Sequence, residues 1–226
     1  MVNQDRLLGN FIKMVQTASP SGKEGRMKDL LVEEFARRGL AAIEDQAGGD
    51  LQGEAGNLLV KIDGDPDLPA LLFVAHMDTV EPGHNIVPVI EGGVVRSSGD
   101  SILGADDKAA IAALLEVADV LQEEHRHHPP LELLFTVGEE QGLQGAKLFD
   151  FSCLRSKMGY ALDSGGPPGS VVITDDPMLA FKSGRLVPPA LAVPSARRVE
   201  AGELSAAALI SLTENVQPSA ILLWEQ

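Results

Sequence analysis

The sequence has little of what would place it in a membrane or in an oxidising compartment. Its 226 residues include a single cysteine, Cys153, which excludes an intramolecular disulfide and is typical of a reducing compartment. No apolar run approaches the length of a membrane span, and the N-terminus lacks the apolar core of a signal peptide. We therefore expect a cytoplasmic protein.

Positive charge is also scarce. The chain has 18 Lys and Arg against 33 Asp and Glu, which gives a net charge of -15. Nucleic acids and anionic membranes both favour Lys and Arg, so neither is expected as a partner. A carboxylate-rich chain instead suits cation binding, or is simply soluble. Apolar residues make up 44% of the sequence, which is enough for a substantial core.

Apolar periodicity predicts helices that alternate with strands. This alternation is typical of an α/β fold whose central sheet is largely parallel. The predicted helices cover residues 4–17, a second segment that ends at Gly39, and residues 105–124. The predicted strands cover residues 57–62, the start of 70–80, 131–137, 159–163 and 170–174, with a hairpin over 87–96 that turns at Gly92 and Gly93.

The pattern changes after about residue 174. Residues 184–199 are rich in proline and aperiodic, whereas residues 200–213 are rich in Ala and Leu and are compatible with a helix. We predict two parts, an α/β domain over residues 1–174 and a divergent tail over 175–226 with at most one peripheral helix.

The strongest functional signal lies at the end of the apolar run in residues 70–80. There the chain presents His76 and Asp78, whose offset of two places both side chains on one face of an extended segment. His76 can bind a metal through one ring nitrogen while Asp78, or a neighbour, orients the ring. The alternative is a packed or solvated histidine at a strand end.

Further acidic residues occur at similar boundaries. Asp106 opens the long helix, Glu139 and Glu140 follow the strand over 131–137, and Asp163 ends another apolar strand. Taken singly, an acidic residue at such a boundary is equally compatible with a favourable helix dipole or with a solvated loop. Together they converge, because the carboxyl ends of strands form the ligand-binding edge of an open α/β sheet. The sequence therefore predicts an oxygen-rich site for divalent ions.

Four motifs in order carry a family resemblance: Ala75-His-Met-Asp-Thr-Val80, Gly104-Ala-Asp-Asp-Lys108, Glu139-Glu-Gln-Gly-Leu-Gln-Gly-Ala146 and Ala161-Leu-Asp163. They resemble the M20 family of co-catalytic zinc peptidases, in its peptidase T-like (tripeptide aminopeptidase-like) branch, over about residues 5–174. The resemblance implies a partial zinc-peptidase catalytic domain, built as a three-layer sandwich, without the family's lid or dimerisation domain.

The resemblance also implies roles for individual residues. His76 and Asp163 would bind one zinc ion, Asp106 would bridge two ions and Glu140 would bind the second. Two further residues would act in catalysis, Asp78 by steadying His76 and Glu139 as the general base. A cis peptide would follow Asp106. Manganese or cobalt could replace zinc, since carboxylate-rich sites accept them.

The histidines depart from the family pattern. Family members are longer, with a lid histidine and a last histidine for the second metal, whereas here no histidine follows His128. We therefore expect a truncated or divergent chain after about residue 174, a weakened second metal site and very low activity. The run from His125 to His128 is expected at the opposite edge of the sheet, and His84 is expected in a loop.

Metal-dependent hydrolysis of small peptides is the expected function, with a small peptide as the partner and a homodimer possible as in full-length family members. Two alternatives stay open. One is an M20-type amidohydrolase that acts on N-acyl amino acids, because the same metal constellation serves both reactions. The other is a catalytically silent metal-binding fragment.

Overall fold

The computed structural model describes residues 1–163. The predicted strand over 170–174, the predicted tail over 175–226 and the helix considered within it lie outside the described residues, as does the boundary between the two predicted parts.

The described chain alternates helices and strands, as the apolar periodicity predicts. The helices are α1 (Gln4–Val15), α2 (Gly25–Arg37), α3 (Ala47–Leu51), α4 (Ala105–Glu124) and α5 (Gln144–Leu148). The strands are β1 (Ala42–Glu44), β2 (Leu58–Ile62), β3 (Leu71–His76), β4 (Pro88–Glu91), β5 (Val94–Ser97), β6 (Leu131–Thr136) and β7 (Met158–Ala161). The short elements β1, α3 and α5 are additions to the predicted set, because three to five residues are too few to show a period.

Among residues 1–163, five strands form the central sheet in the order β1-β2-β6-β3-β7. The predicted α/β class is confirmed. The described sheet is mixed but mostly parallel, as expected, because β1, β6, β3 and β7 run in one direction and only β2 runs against them. β3 is parallel to β6 and β7, whereas β2 is antiparallel to both β1 and β6. Only residues 63–70 join β2 to β3, and so short a connection reverses the chain, since a parallel crossover needs a dozen or more residues.

The parallel strands bring three chain segments to one edge. His76 at the end of β3 is in register with Thr136 at the end of β6, and Val74 is in register with Ala161 at the end of β7. The segments that follow these three strands therefore leave the sheet side by side.

Helices α1, α2 and α4 build the layer over one face of the sheet. Met27, Leu31 and Phe35 of α2 are completely buried, and the ring of Phe35 packs 5.4 Å from that of Phe135 in β6. Every residue of β6 is buried, so the sheet is covered on both faces at its centre. Truncating one such core side chain to alanine typically costs about 2–5 kcal/mol.

The hairpin of β4 and β5 stands apart from the central sheet as a two-stranded sheet of its own. Gly92 and Gly93 turn it with positive φ angles of 59° and 79°, which glycine adopts without a steric cost. The predicted hairpin is thereby confirmed. Within residues 1–163, no helix is both long enough and apolar enough to cross a bilayer.

Candidate metal centre

His76 lies at the centre of the candidate site and is buried at the end of β3. Its Nδ1 is 2.9 Å from the backbone oxygen of Asp78. A carbonyl oxygen only accepts, so this contact places the ring proton on Nδ1. Nε2 is the ring nitrogen that remains for a metal once its own proton is displaced, and it lies 2.9 Å from Oδ1 of Asp106 and 4.0 Å from Oε2 of Glu139.

Asp78 contacts more of the site than the sequence predicts. Its buried carboxylate lies 3.4 Å from Nδ1 of His76 and accepts the backbone N–H groups of Glu139 at 2.9 Å and Glu140 at 3.1 Å. It also accepts the hydroxyl of Ser21 at 2.6 Å. Burial opposes the charge on Asp78, but these hydrogen bonds outweigh it and lower the pKa. Asp78 therefore fixes the backbone of both glutamates while it faces the histidine.

The connection between α1 and α2 forms hydrogen bonds with the residues on either side of Asp78. Ser19 donates its hydroxyl to the backbone oxygen of Met77 at 2.8 Å, and the Thr79 N–H donates to the backbone oxygen of Ser19 at 3.0 Å. Sequence periodicity marks this Ser-Pro-Ser-Gly segment only as a helix break. The role of Ser21 in the site is therefore visible only in three dimensions.

Asp106 reaches the site from the start of α4. Gly104 precedes it with a φ of 68°, and the peptide between Asp106 and Asp107 is cis, as the family resemblance implies. The side chain of Asp106 is 69% exposed where it faces His76. Asp107 is buried instead and accepts the His76 N–H at 3.3 Å, and burial raises its pKa to about 8. Sequence reasoning gave Asp107 no role.

The loop after β6 carries Glu139 and Glu140 and is held to the sheet by Asn57. The buried Asn57 side chain accepts the Val137 N–H at 3.1 Å and donates to the backbone oxygen of Gly145 at 3.0 Å. A Cβ at Gly145 would lie 2.4 Å from Oδ1 of Asn57, so only glycine allows this approach.

These segments create two overlapping groups of candidate ligands. One contains His76, Asp106 and Asp163, and the other contains His76, Glu139 and Glu140; within each group the ligand atoms lie within 4.8 Å of one another. The first group contains the two residues that the resemblance assigns to one metal ion, His76 and Asp163, together with Asp106, the residue that it assigns to both ions. The second joins both glutamates to His76, whereas the resemblance pairs Glu140 with Asp106, and the division of roles between the glutamates stays a prediction.

Carboxylates outnumber the imidazole in this cleft. Burial raises the pKa values of Glu139, Glu140 and Asp163, and neighbouring carboxylates add to each rise. For His76, burial opposes the charged form, but hydrogen bonds to two aspartates outweigh it and raise the pKa to about 10. A divalent cation would neutralise this excess negative charge, and the carboxylate oxygens and the imidazole nitrogen are suitable ligands for it. The residues of the cleft therefore fit such an ion.

The other histidines lie away from this cleft. His127 pairs with Asp65 at 2.6 Å, beside the start of β6 and so at the opposite edge of the sheet, as predicted. His84 is exposed and lies 3.0 Å from Glu81. Neither belongs to a group of candidate ligands among residues 1–163.

Fold and site together define the class of protein. It is an α/β protein with a candidate divalent-metal site at the carboxyl ends of its parallel strands. The chain belongs to peptidase family M28, whose sequence model matches residues 57–180.

Several individual proteins are similar to this chain in sequence or in structure. The uncharacterized protein YqjE of Bacillus subtilis (strain 168) is 42% identical over 174 residues, which is 76% of this chain and 47% of that protein. Peptidase T of Escherichia coli O1:K1 / APEC is 30% identical over 204 residues, with 72% of this chain and 48% of that protein covered. The crystal structure of aminopeptidase PepT from Bacillus cereus ATCC 10987 has a TM-score of 0.71 at 40% identity, and the match covers 73% of this chain and 44% of that one.

These matches confirm the peptidase T-like resemblance and the fold that it implies. Because the matching family model is that of M28, membership of M20 stays a prediction. The chain spans about half the length of the curated relatives it matches.

Proposed function

We propose that this protein is a metal-dependent peptidase that hydrolyses small peptides. One observation carries the proposal: His76, Asp106 and Asp163 meet beside Glu139 and Glu140 at one edge of the sheet. The names of two relatives, a peptidase T and an aminopeptidase, favour a peptide substrate over an N-acyl amino acid.

The proposed ligands follow the two groups of donors. His76 and Asp163 would hold the first ion, Glu140 would hold the second, and Asp106 would serve both. Zinc is the default for an imidazole with carboxylates, and manganese or cobalt would also be accepted. Divalent ions bound there would supply the Lewis acidity that acidifies water and polarises an amide carbonyl.

Glu139 is proposed as the general base. It takes a proton from the attacking water and returns it to the leaving amine. Burial raises its pKa, which makes its carboxylate a stronger base than an exposed glutamate. The carboxylate of Asp78 holds the Glu139 N–H at 2.9 Å, so the base has a fixed backbone position before substrate arrives.

The second ion is proposed to bind more weakly than the first. All five histidines of the chain lie at or before His128, and those after His76 lie away from the cleft or outside its ligand groups. The second ion would therefore depend on carboxylates, and we expect low turnover from the 226-residue chain. A cytoplasmic location belongs to the same proposal, whereas a homodimer is expected only of full-length family members.

The test is hydrolysis of a tripeptide and of an N-acyl amino acid by the full chain, loaded with zinc, manganese or cobalt. General-base catalysis typically contributes about 10²–10⁴-fold, so Glu139→Gln should remove most turnover while bound metal stays unchanged. Preference for the acyl substrate would support the amidohydrolase alternative.

Calorimetric titration of the apoprotein with zinc, read together with the turnover assay, distinguishes a silent metal-binding protein from an enzyme. Unequal zinc sites without turnover on either substrate would support the silent alternative. Turnover that survives Glu139→Gln would refute the mechanism.

A further inference from the structure

Glu24 is a buried carboxylate that the proposed hydrolysis does not use. It lies just before α2, and only 1% of the residue is exposed. One oxygen, Oε1, accepts the N–H groups of Gly22 at 2.9 Å and Gly138 at 3.1 Å. The other oxygen, Oε2, is buried and receives no hydrogen bond from any group in residues 1–163.

An unpartnered buried carboxylate oxygen is costly. Desolvation of a charged oxygen without a compensating partner disfavours the charged form, and burial accordingly raises the pKa of Glu24. The nearby carboxylate of Asp78 adds to the negative potential. Elsewhere in the described fold, buried glutamates such as Glu34 and Glu116 are paired with lysine or arginine.

The side chain of Glu24 lines a cavity. The cavity has a volume of about 140 Å³, and Gly22, Gly53, Gly138, Gln141 and Gln144 also border it. This space is larger than one water needs and can hold a small hydrated ion or an ammonium group with a short stem. The two glutamine side chains can supply neutral amide oxygens beside the single carboxylate.

We infer that this cavity, defined by Glu24, Gln141 and Gln144, is a binding site for a monovalent cation. One carboxylate matches one positive charge, whereas divalent ions in proteins usually take several charged oxygens. Two sources share this chemistry, an alkali metal ion and the primary ammonium group of an amine or peptide. The site goes beyond the proposed hydrolysis, because cation binding here needs no turnover and uses none of the proposed metal ligands.

Thermal unfolding of the full chain tests the site. The metal-chelated protein is compared at constant ionic strength in tetraethylammonium chloride, which is bulky and has no N–H donor, and in potassium chloride, sodium chloride or glycinamide hydrochloride. We expect one of the small cations to raise Tm by about 2–4 °C with saturation, as ligand binding to the folded state requires. A response to alkali ions alone identifies a metal ion, and a response to glycinamide at lower concentration identifies an amine.

Glu24→Gln should abolish the response, because the amide keeps an acceptor for the two backbone N–H groups but loses the charge. Glu54→Gln is the matched control, since Glu54 is exposed and does not border the cavity, and it should respond like the wild type. Equal Tm values of the wild type in all four salts, or a full response in Glu24→Gln, would overturn the inference.

A second measurement covers the case in which Glu24→Gln fails to fold. The linewidth of the sodium NMR signal should broaden with wild-type protein, and potassium or glycinamide should reverse the broadening by competition. Broadening that neither competitor reverses would count against the site, as would unbroadened sodium together with a Tm that glycinamide does not raise. A lack of peptidase activity would leave either result unaffected.

Discussion

Two acid-rich regions of this molecule differ in whether their carboxylates are paired with cationic side chains. In the layer formed by α1, α2 and α4, acidic side chains lie against cations of the same chain. Nε of Arg6 is 2.6 Å from Glu116, and one amino nitrogen of Arg38 is 2.7 Å from Asp119. At the carboxyl edge of the sheet, by contrast, the candidate ligands share one imidazole, that of His76.

The pKa values follow this difference. Arg6 lowers the pKa of Glu116 through direct hydrogen bonds, and Glu34 has a lowered pKa because lysine and arginine contacts outweigh its burial. Burial instead raises the pKa values of Glu139 and Asp163. The chain itself neutralises the carboxylates that hold its helices together, whereas the carboxylates of the cleft have one imidazole among them and stay candidate ligands for a cation. This contrast separates structural acids from candidate functional acids without any information from relatives.

The largest expected effect tests whether the cleft depends on its imidazole. His76→Ala should remove the tighter zinc site. Loss of a residue that only hydrogen-bonds to a metal ligand can lower metal affinity by roughly 100-fold, and loss of the ligand itself should lower it further. Calorimetric titration of the apoprotein measures this loss. His84→Ala is the control, because His84 is exposed and should leave zinc binding unchanged. Tight zinc binding by His76→Ala would mean that carboxylates alone hold the ion.

The sequence predicts this cleft well because its ligand types stand where strands end. His76, Glu139 and Asp163 each follow an apolar run, and the carboxyl ends of parallel strands share one edge. The same logic does not reveal Ser21, Asp107 or the buried state of Glu24. Their roles depend on which loop lies against which, and no local period encodes such a contact.

The reversed direction of β2 is not visible in the apolar pattern, for a related reason. The apolar pattern of residues 57–62 shows that a strand is present, but its pairing depends on β6, which lies about seventy residues later in the chain. Insertion of β6 between β2 and β3 is a long-range event. The length of the connection over residues 63–70 is the one local clue, since it is too short for a parallel crossover.

The second prediction concerns the helix layer. Arg38 is nearly buried and contacts both Glu34, at 2.9 Å, and Asp119. Arg38→Met should lower the free energy of unfolding by about 2 kcal/mol, because both carboxylates lose a partner but keep others. Denaturant unfolding at neutral pH measures the change.

Arg37→Met is the matched control in the same helix. The Arg37 side chain is 56% exposed, and exposed ion pairs contribute about 0–1 kcal/mol. Equal effects of the two variants would show that the ion pairs of the helix layer stabilise the fold no more than ordinary surface ion pairs do.

The third prediction uses pH to test the same layer. The pKa of Glu116 is lowered from its ordinary value of 4.5, so its contribution to stability is complete above that value and disappears as pH falls through the lowered pKa. Glu116→Gln should therefore cost about 1 kcal/mol at pH 7 and nothing in strong acid.

Unfolding free energies of wild type and Glu116→Gln across pH measure this convergence. Glu33→Gln is the control, because the Glu33 side chain is 59% exposed and its variant should differ little from wild type at any pH. A gap between wild type and Glu116→Gln that persists in acid would show that Glu116 acts through packing rather than through its charge.

The smallest expected effect has the opposite sign and is the sharpest test of the contrast. Glu140 is exposed at the mouth of the cleft, and its nearest charged neighbours include several carboxylates. In metal-free protein, Glu140→Gln should raise the free energy of unfolding by about 0.5 kcal/mol, because burial and repulsion from neighbouring carboxylates together outweigh the attraction of Glu140 to His76. With saturating zinc the same variant should become the less stable protein, since it has lost a candidate ligand and binding to the folded state adds stability. Paired unfolding experiments with chelator and with zinc would show this reversal. If Glu140→Gln is destabilising in both conditions, the chain already neutralises Glu140, and the cleft does not differ from the helix layer.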